Sequence, residues 1–325
     1  MAVYTEVSFD EAALLVARLG LGRLTALTGI RSGIENTNYF ADTDGSDGEP
    51  RSFVLTLFER LTFDELPFYL QLMKHLAARG IPVPGPKPDA SGAILHTLQA
   101  KPAAVVDRLR GGHRLAPEAT HCASLGAMLA RMHAAGSDFA MHQPNLRGPP
   151  WWNETVPVVR PFLTDAQRAL IDTELAFQQQ FAASAAYAAL PRGAIHADLF
   201  RDNAMFEADA SGDHLTGLFD FYFAGIDVLL FDIAVCLNDW CIDLDSGRLV
   251  ESRAAVLVAA YNTVRPLSSN ERRLLPALMR GAALRFWLSR LWDLHLPRDA
   301  TLLTAHDPTH FERVLRERVA APWHP

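Results

Sequence analysis

The alternation of apolar and polar positions divides the chain into two regimes. Ser8 followed by Glu11 has the spacing of a capping box and predicts a helix from about Phe9 to Leu19, closed by Gly20. From Leu24 to Leu57 short apolar and polar groups alternate around two turn-rich points, Arg31-Ser32-Gly33 and Asp42 to Pro50. That pattern predicts antiparallel strands, with a hairpin tip at Asp44–Gly48. Over Asp64–Arg79 the positions Leu66, Tyr69, Leu70, Met73, Leu76 and Ala77 recur at spacings of three and four, predicting an amphipathic helix that Gly80 and Pro82 end. Two more short strands are expected at Ala93–Leu98 and Ala103–Leu109. After Gly111-Gly112 helical periodicity takes over, at Pro117–Ala134, Asp165–Leu190, Phe231–Cys241, Arg248–Thr263 and Asn270–Leu294. Strand candidates remain only at Ala204–Glu207 and Leu215–Phe221. The expected architecture is α+β and bilobal: an antiparallel-sheet lobe with a helix over residues 1–108, and a larger, mainly helical lobe over 109–325. A cleft between such lobes is where ligands tend to bind.

Composition narrows the function. Thirty Lys plus Arg against 37 Asp plus Glu leave a formal charge of −7, so no global positive field exists for nucleic acid or an anionic membrane. Three cysteines, Cys122, Cys236 and Cys241, form no CxxC pair, which argues for reduced thiols rather than a disulfide scaffold or a cysteine zinc site. The acidic amino end lacks the basic and apolar regions of an export signal. Charges interrupt the most apolar stretches, Asp227 and Asp232 in one and Arg280, Arg285, Arg290 and Asp293 in the other, so no clean membrane span is expected. These features together predict a cytoplasmic protein. The histidines show no HExxH or paired ligand spacing.

The chemistry concentrates in His196-Ala197-Asp198-Leu199-Phe200-Arg201-Asp202-Asn203, a loop framed by apolar residues, and in Phe219-Asp220-Phe221 after the second strand candidate. Phosphoryl transfer from ATP needs a carboxylate to orient an attacking hydroxyl and accept its proton, and hard oxygen ligands for Mg2+ on the phosphates. Asp198 fits the first role, and Asn203 with Asp220 the second. Any one of these residues alone is equally a turn former. Their joint spacing is the kinase catalytic-loop pattern H-x-D-x-x-x-x-N followed by a strand ending in aspartate.

This segment resembles the catalytic loop of the aminoglycoside phosphotransferase and choline kinase superfamily, and the resemblance covers nearly the whole chain. Leu125–His133 is similar to the first large-lobe helix of that superfamily, and Phe231-Asp232-Ile233-Ala234 to its aspartate-bearing helix start. The resemblance implies that Asp232 braces the catalytic loop and that His196 shapes its backbone. Three stretches, Ser32–Phe40, Phe53–Glu59 and Asn238-Asp239-Trp240-Cys241, resemble the kinase-like homoserine kinases. The activity so implied is transfer of a phosphoryl group from ATP to the hydroxyl of L-homoserine, a step of threonine biosynthesis. Ser32, Gly33, Asn36, Asn38 and Thr56 would then lie at the phosphates and Asp107 and Leu109 at the hinge to the adenine. Asp239 and Trp240 would face the acceptor, with Asp239 toward its ammonium. Arg201 or Arg285 would receive its carboxylate.

One departure stands out. Thr56 occupies the strand position where the kinase pattern places its phosphate-binding lysine. Arg31, Arg60, Lys101 or a larger share carried by magnesium are the alternatives, and Glu65, the residue that would pair such a lysine, is equally a solvated acid near a helix start. Trp151-Trp152 fits either a pocket wall or the anchor of an irregular loop. Phe286, Trp287, Leu291 and Trp292 fit packing within one subunit or across a homodimer. Two rival functions stay open: a kinase of the same fold acting on choline, ethanolamine or an aminoglycoside, and a nucleotide-binding pseudokinase lacking turnover.

Overall fold

The computed structural model describes residues 5–30, 36–296 and 306–325. It separates into two compact units, Met1–Arg110 and Gly111–Pro325.

In the first unit the strands β1 (Arg23–Gly29), β2 (Asn36–Asp44), β3 (Pro50–Phe58), β4 (His96–Leu98) and β5 (Lys101–Asp107) form one antiparallel sheet in the order β1-β2-β3-β5-β4. Helix α1 (Phe9–Arg18) starts on the expected capping box, with the Ser8 hydroxyl accepting from the Glu11 amide and the Glu11 carboxylate accepting from the Ser8 amide at 3.0 Å. Leu15, Val16 and Leu19 of this segment bury against Tyr39, Ala41, Phe53, Leu55, Leu57, Ala103 and Val105, which share one sheet face because strand side chains alternate. The opposite face therefore carries Asn38, Phe40, Val54, Thr56, Ala104 and Val106. Helix α2 (Leu66–Ala78) falls within the span its periodicity predicts.

The second unit holds α3 (Ala119–Ala135), α4 (Pro149–Val159), α5 (Asp165–Ala182), a single turn α6 (Ala185–Ala188), β6 (Arg192–Ile195), β7 (Ala204–Asp209), β8 (Gly212–Leu218), β9 (Gly225–Val228), α7 (Leu229–Trp240), α8 (Glu251–Val264), α9 (Ser269–His295) and α10 (Thr309–Ala320). Two small antiparallel ribbons, β6 with β9 and β7 with β8, interrupt the helices and set the loops between them. Helices α3 and α8 pack closely because Gly126 has no side chain: a Cβ there would lie 2.2 Å from the Leu257 carbonyl oxygen.

Several elements escape the periodicity. Helix α4 begins with Pro149 and Pro150, residues that usually read as breakers but are tolerated in a first turn whose amides have no intrahelical acceptor. Trp151 and Trp152 thus lie on a helix and not on an irregular loop. Helix α10 buries Phe311, Val314, Leu315 and Arg318, an i, i+3, i+4, i+7 stripe within an otherwise polar stretch. Phe286, Trp287 and Leu291 are buried within the single chain. All three cysteines are free and buried. Among the described residues no helix is long and apolar enough to cross a membrane.

Candidate active site

The loop after β6 is held from beneath by one face of α7. Asp232, Cys236, Asp239 and Trp240 stand at i, i+4, i+7 and i+8 of that helix, and all four reach the loop. The Asp232 carboxylate accepts from the His196 amide at 2.7 Å through one oxygen and from the Ala197 amide at 2.7 Å through the other. His133 Nε2 donates a third bond to it at 3.1 Å. The Cys236 thiol and the Trp240 indole both donate to the Leu199 carbonyl, the indole at 3.0 Å. The Asp239 carboxylate accepts from the Arg201 amide at 2.8 Å and its guanidinium Nε at 3.1 Å.

These bonds fix an unusual backbone. Ala197 has φ of 63°, a left-handed conformation that costs an ordinary residue roughly 1–2 kcal/mol. The loop tolerates it because both amides at the bend are tied to Asp232. The turn aims Asp198, the next residue, away from the buried helix, and its carboxylate is partly exposed while Ala197 and Leu199 are buried.

His196 is fully buried, and its ring closes the loop internally. Nε2 donates to the Phe219 carbonyl at 2.9 Å and Nδ1 accepts from the Asp198 amide at 3.3 Å. Both partners demand a neutral imidazole, and burial holds its pKa below the ordinary histidine value. The His196 ring therefore links the Phe219 carbonyl to the Asp198 amide within the loop.

Asn203 donates from Nδ2 to the Asp198 carbonyl at 2.8 Å, which ties the far end of the loop to its centre and leaves Oδ1 as the unused oxygen of the amide. The Phe219 amide donates to the Asn203 carbonyl at 3.1 Å, so the segment carrying Asp220 is bonded to the loop at both His196 and Asn203. Asp220 is exposed and has φ of 65°. Burial first, then the nearby Asp220 charge, push the Tyr222 hydroxyl above its usual pKa. Among the described residues no three His, Cys, Asp or Glu side chains cluster as a metal cage. One amide oxygen and one carboxylate nonetheless suit a hard cation that draws its other ligands from phosphates and water.

Arg285 enters from α9. It is 3% exposed, its Nη1 lies 3.3 Å from an Asp198 oxygen, and its guanidinium covers the Phe286 ring at 3.7 Å.

Other residues singled out in the sequence have a different use. Arg201 and Asp239 neutralise each other, Arg201 also bonding the Leu115 and Asp239 carbonyls, so neither charge is presented to a substrate. Trp240 is wholly buried. In the first unit the Thr56 hydroxyl donates to Asn38 Oδ1 at 2.7 Å, directly across the β2–β3 register. Lys101 is paired with Glu59 and donates to the Thr5 hydroxyl at 2.7 Å. Glu65 is exposed and accepts from the Thr62 amide and hydroxyl, which lower its pKa. Asn36 begins β2, and Asp107 ends β5 with a 2.5 Å ion pair to Lys87; Leu109 follows in the last residues of the unit. Arg31, Ser32 and Gly33 lie outside the described residues.

A braced aspartate loop followed by an asparagine and a second aspartate is the arrangement of a phosphotransferase, and the comparisons with known proteins agree. Residues 26–267 match the phosphotransferase enzyme family, to which the chain belongs. Homoserine kinase of Polaromonas naphthalenivorans is 65% identical over 323 residues, covering 99% of each chain. Homoserine kinase of Cupriavidus necator is 56% identical, over 99% of this chain and 97% of that protein. The chain thus falls in the homoserine kinase branch of the family and is an enzyme of that class. Its fold matches an amicoumacin kinase solved with AMP-PNP and Ca2+ (TM-score 0.67, 17% identity, 98% and 96% of the two chains). It also matches a spectinomycin phosphotransferase solved with ADP (TM-score 0.69, 11% identity, 97% and 99%).

Proposed function

We propose that the protein transfers the terminal phosphoryl group of ATP to the hydroxyl of L-homoserine, giving O-phospho-L-homoserine and ADP. The observation that carries this reading is 65% identity, over nearly the full chain, to a homoserine kinase. The loop geometry supports it. Asp198 accepts the proton of the homoserine hydroxyl while that oxygen forms its bond to the terminal phosphorus, and the bond from that phosphorus to the bridging oxygen of ADP breaks. Positioning does most of the work in such a transfer, which is why a backbone fixed by Asp232 and His196 matters. Asn203 Oδ1 and Asp220 would hold Mg2+, which when bound neutralises phosphate charge. The first unit supplies the nucleotide contacts in this reading, with Asn38 and Thr56 toward the phosphates and Asp107 and Leu109 toward the base. A cytoplasmic location and a place in threonine biosynthesis follow from the same reading.

ADP release is the test, measured with ATP and Mg2+ against L-homoserine, choline, ethanolamine, an aminoglycoside and water. Turnover with homoserine that Asp198→Asn reduces by about 1000-fold, with ATP still bound, is the expected result. Turnover confined to another alcohol would keep the phosphotransfer and discard homoserine. ATP binding with no turnover would leave a pseudokinase.

A further inference from the structure

The guanidinium of Arg285 is buried, yet its Nε and Nη2 have no hydrogen-bond partner. Buried charged donors left unpaired are expensive, and they call for a physical reason. Among the described residues the acid it bonds is Asp198, through Nη1 at 3.3 Å. A second cation stands close by. Arg147 lies over the Trp151 ring at 4.7 Å and over the Phe223 ring at 5.9 Å, and Arg285 lies over the same Phe223 ring at 4.9 Å. Burial chiefly, with Arg147 opposing the Asp198 and Asp293 charges, draws the Arg285 pKa down to about 10, which leaves it charged at neutral pH.

The position of Arg147 is fixed by its backbone. Its amide donates to Asn145 Oδ1 at 2.9 Å, its carbonyl accepts from the Trp152 indole at 2.6 Å, and Asn145 is itself bonded to the buried Asp227 at 3.0 Å. The fold therefore brings two guanidiniums to one aromatic ring beside the proposed base, and two nitrogens of the Arg285 guanidinium are left there for a further acceptor.

We propose that Arg147 and Arg285 form the binding site for the acceptor's α-carboxylate, making this phosphotransferase selective for hydroxy-amino acids over cationic alcohols. The inference rests on the homoserine reading above. In homoserine the hydroxyl oxygen and the carboxylate carbon are four bonds apart, roughly 5 Å when extended. A hydroxyl at Asp198 consequently places the carboxylate within reach of the unpaired Arg285 nitrogens, because Nη1 of the same group already touches Asp198. Choline or an aminoglycoside would bring a positive charge to two arginines instead of to an acid.

The experiment compares L-homoserine with 3-aminopropan-1-ol, the same alcohol and amine without the carboxylate, in the wild-type enzyme and in Arg285→Lys, Arg285→Gln and Arg147→Gln. The quantity read is the ratio of kcat/KM for the two acceptors, with the KM for ATP measured alongside. The wild type should prefer homoserine strongly, and both glutamine variants should lower that preference by about 100-fold, mainly through the KM of homoserine. Arg285→Lys should recover part of it, since charge returns without the planar fork. An unchanged ratio in folded Arg147→Gln and Arg285→Gln would overturn the assignment. A raised KM for ATP with an unchanged ratio would overturn it too, by placing the arginines at the phosphates. If the wild type ignores homoserine, the function fails first and the carboxylate site falls with it; if the wild type uses homoserine and only the ratio stays flat, the arginine assignment alone fails.

Discussion

Asp232→Asn tests whether the loop is held by the three bonds converging on this carboxylate. One oxygen accepts from His196 N and His133 Nε2 and the other from Ala197 N, and the side chain is fully buried. The least damaging orientation of the amide keeps the two-bond oxygen and turns its NH2 toward the Ala197 amide. One buried N–H is then left facing another donor, a loss of roughly 1–3 kcal/mol. The two surviving bonds lose their charge, which weakens them by roughly 0.5 kcal/mol each. The sum, about 2–4 kcal/mol, corresponds to a fall in Tm of roughly 5–15 °C for a unit of this size. The unpaired amide is the one at the left-handed residue before Asp198, so the carboxylate should also shift. A displacement near 1 Å costs about 100-fold in kcat, while the KM for ATP should change little. Thermal unfolding followed by circular dichroism, together with steady-state ADP release, measures both quantities. A variant within 1 °C and threefold of wild type would refute the argument that Asp232 sets the loop.

Other expectations are as direct. Gly126→Ala puts a Cβ 2.2 Å from the Leu257 carbonyl oxygen, so α3 and α8 must separate; a loss of about 1–3 kcal/mol in urea unfolding is expected, and an unchanged midpoint would show the helices yield freely. Thr56→Val keeps the shape but removes the 2.7 Å bond to Asn38, which should cost about 1 kcal/mol and raise the KM for ATP severalfold; an unaltered KM would remove this pair from the nucleotide contacts. Stability should fall as pH drops below about 6.5, because burial depresses the pKa of His196, and of His310 to about 4, so the unfolded chain takes up protons that the folded one refuses. Each such histidine contributes a slope of about 1.4 kcal/mol per pH unit between its unfolded and folded pKa values, and His310→Ala should reduce the measured slope between pH 6 and 5. A slope identical in that variant would contradict its depressed pKa.

The sequence by itself determined the elements whose signals are local. A capping box at Ser8 and Glu11, the stripe of α2 and the shift to helical spacing after Gly112 each depend on neighbours a few residues apart. The loop carrying Asp198 and Asn203 was legible for the same reason, since five residues fix both ends of the Asn203 bond to the Asp198 carbonyl. Four-residue strands such as β6 and β9 are too short to show a period, and Pro149-Pro150 hid the start of α4 because a first-turn proline and a helix-breaking one read alike. Charge was the least legible property. Arg201, Asp239 and Arg285 read equally as ligands for an amino acid, yet Arg201 and Asp239, 38 residues apart, close on each other. Arg285 and Asp198, 87 residues apart, come together in the helical unit, with two guanidinium nitrogens left unpaired. Whether a charged group is neutralised or available depends on the partner the fold brings to it and on how much water remains, and neither is a property of spacing along the chain.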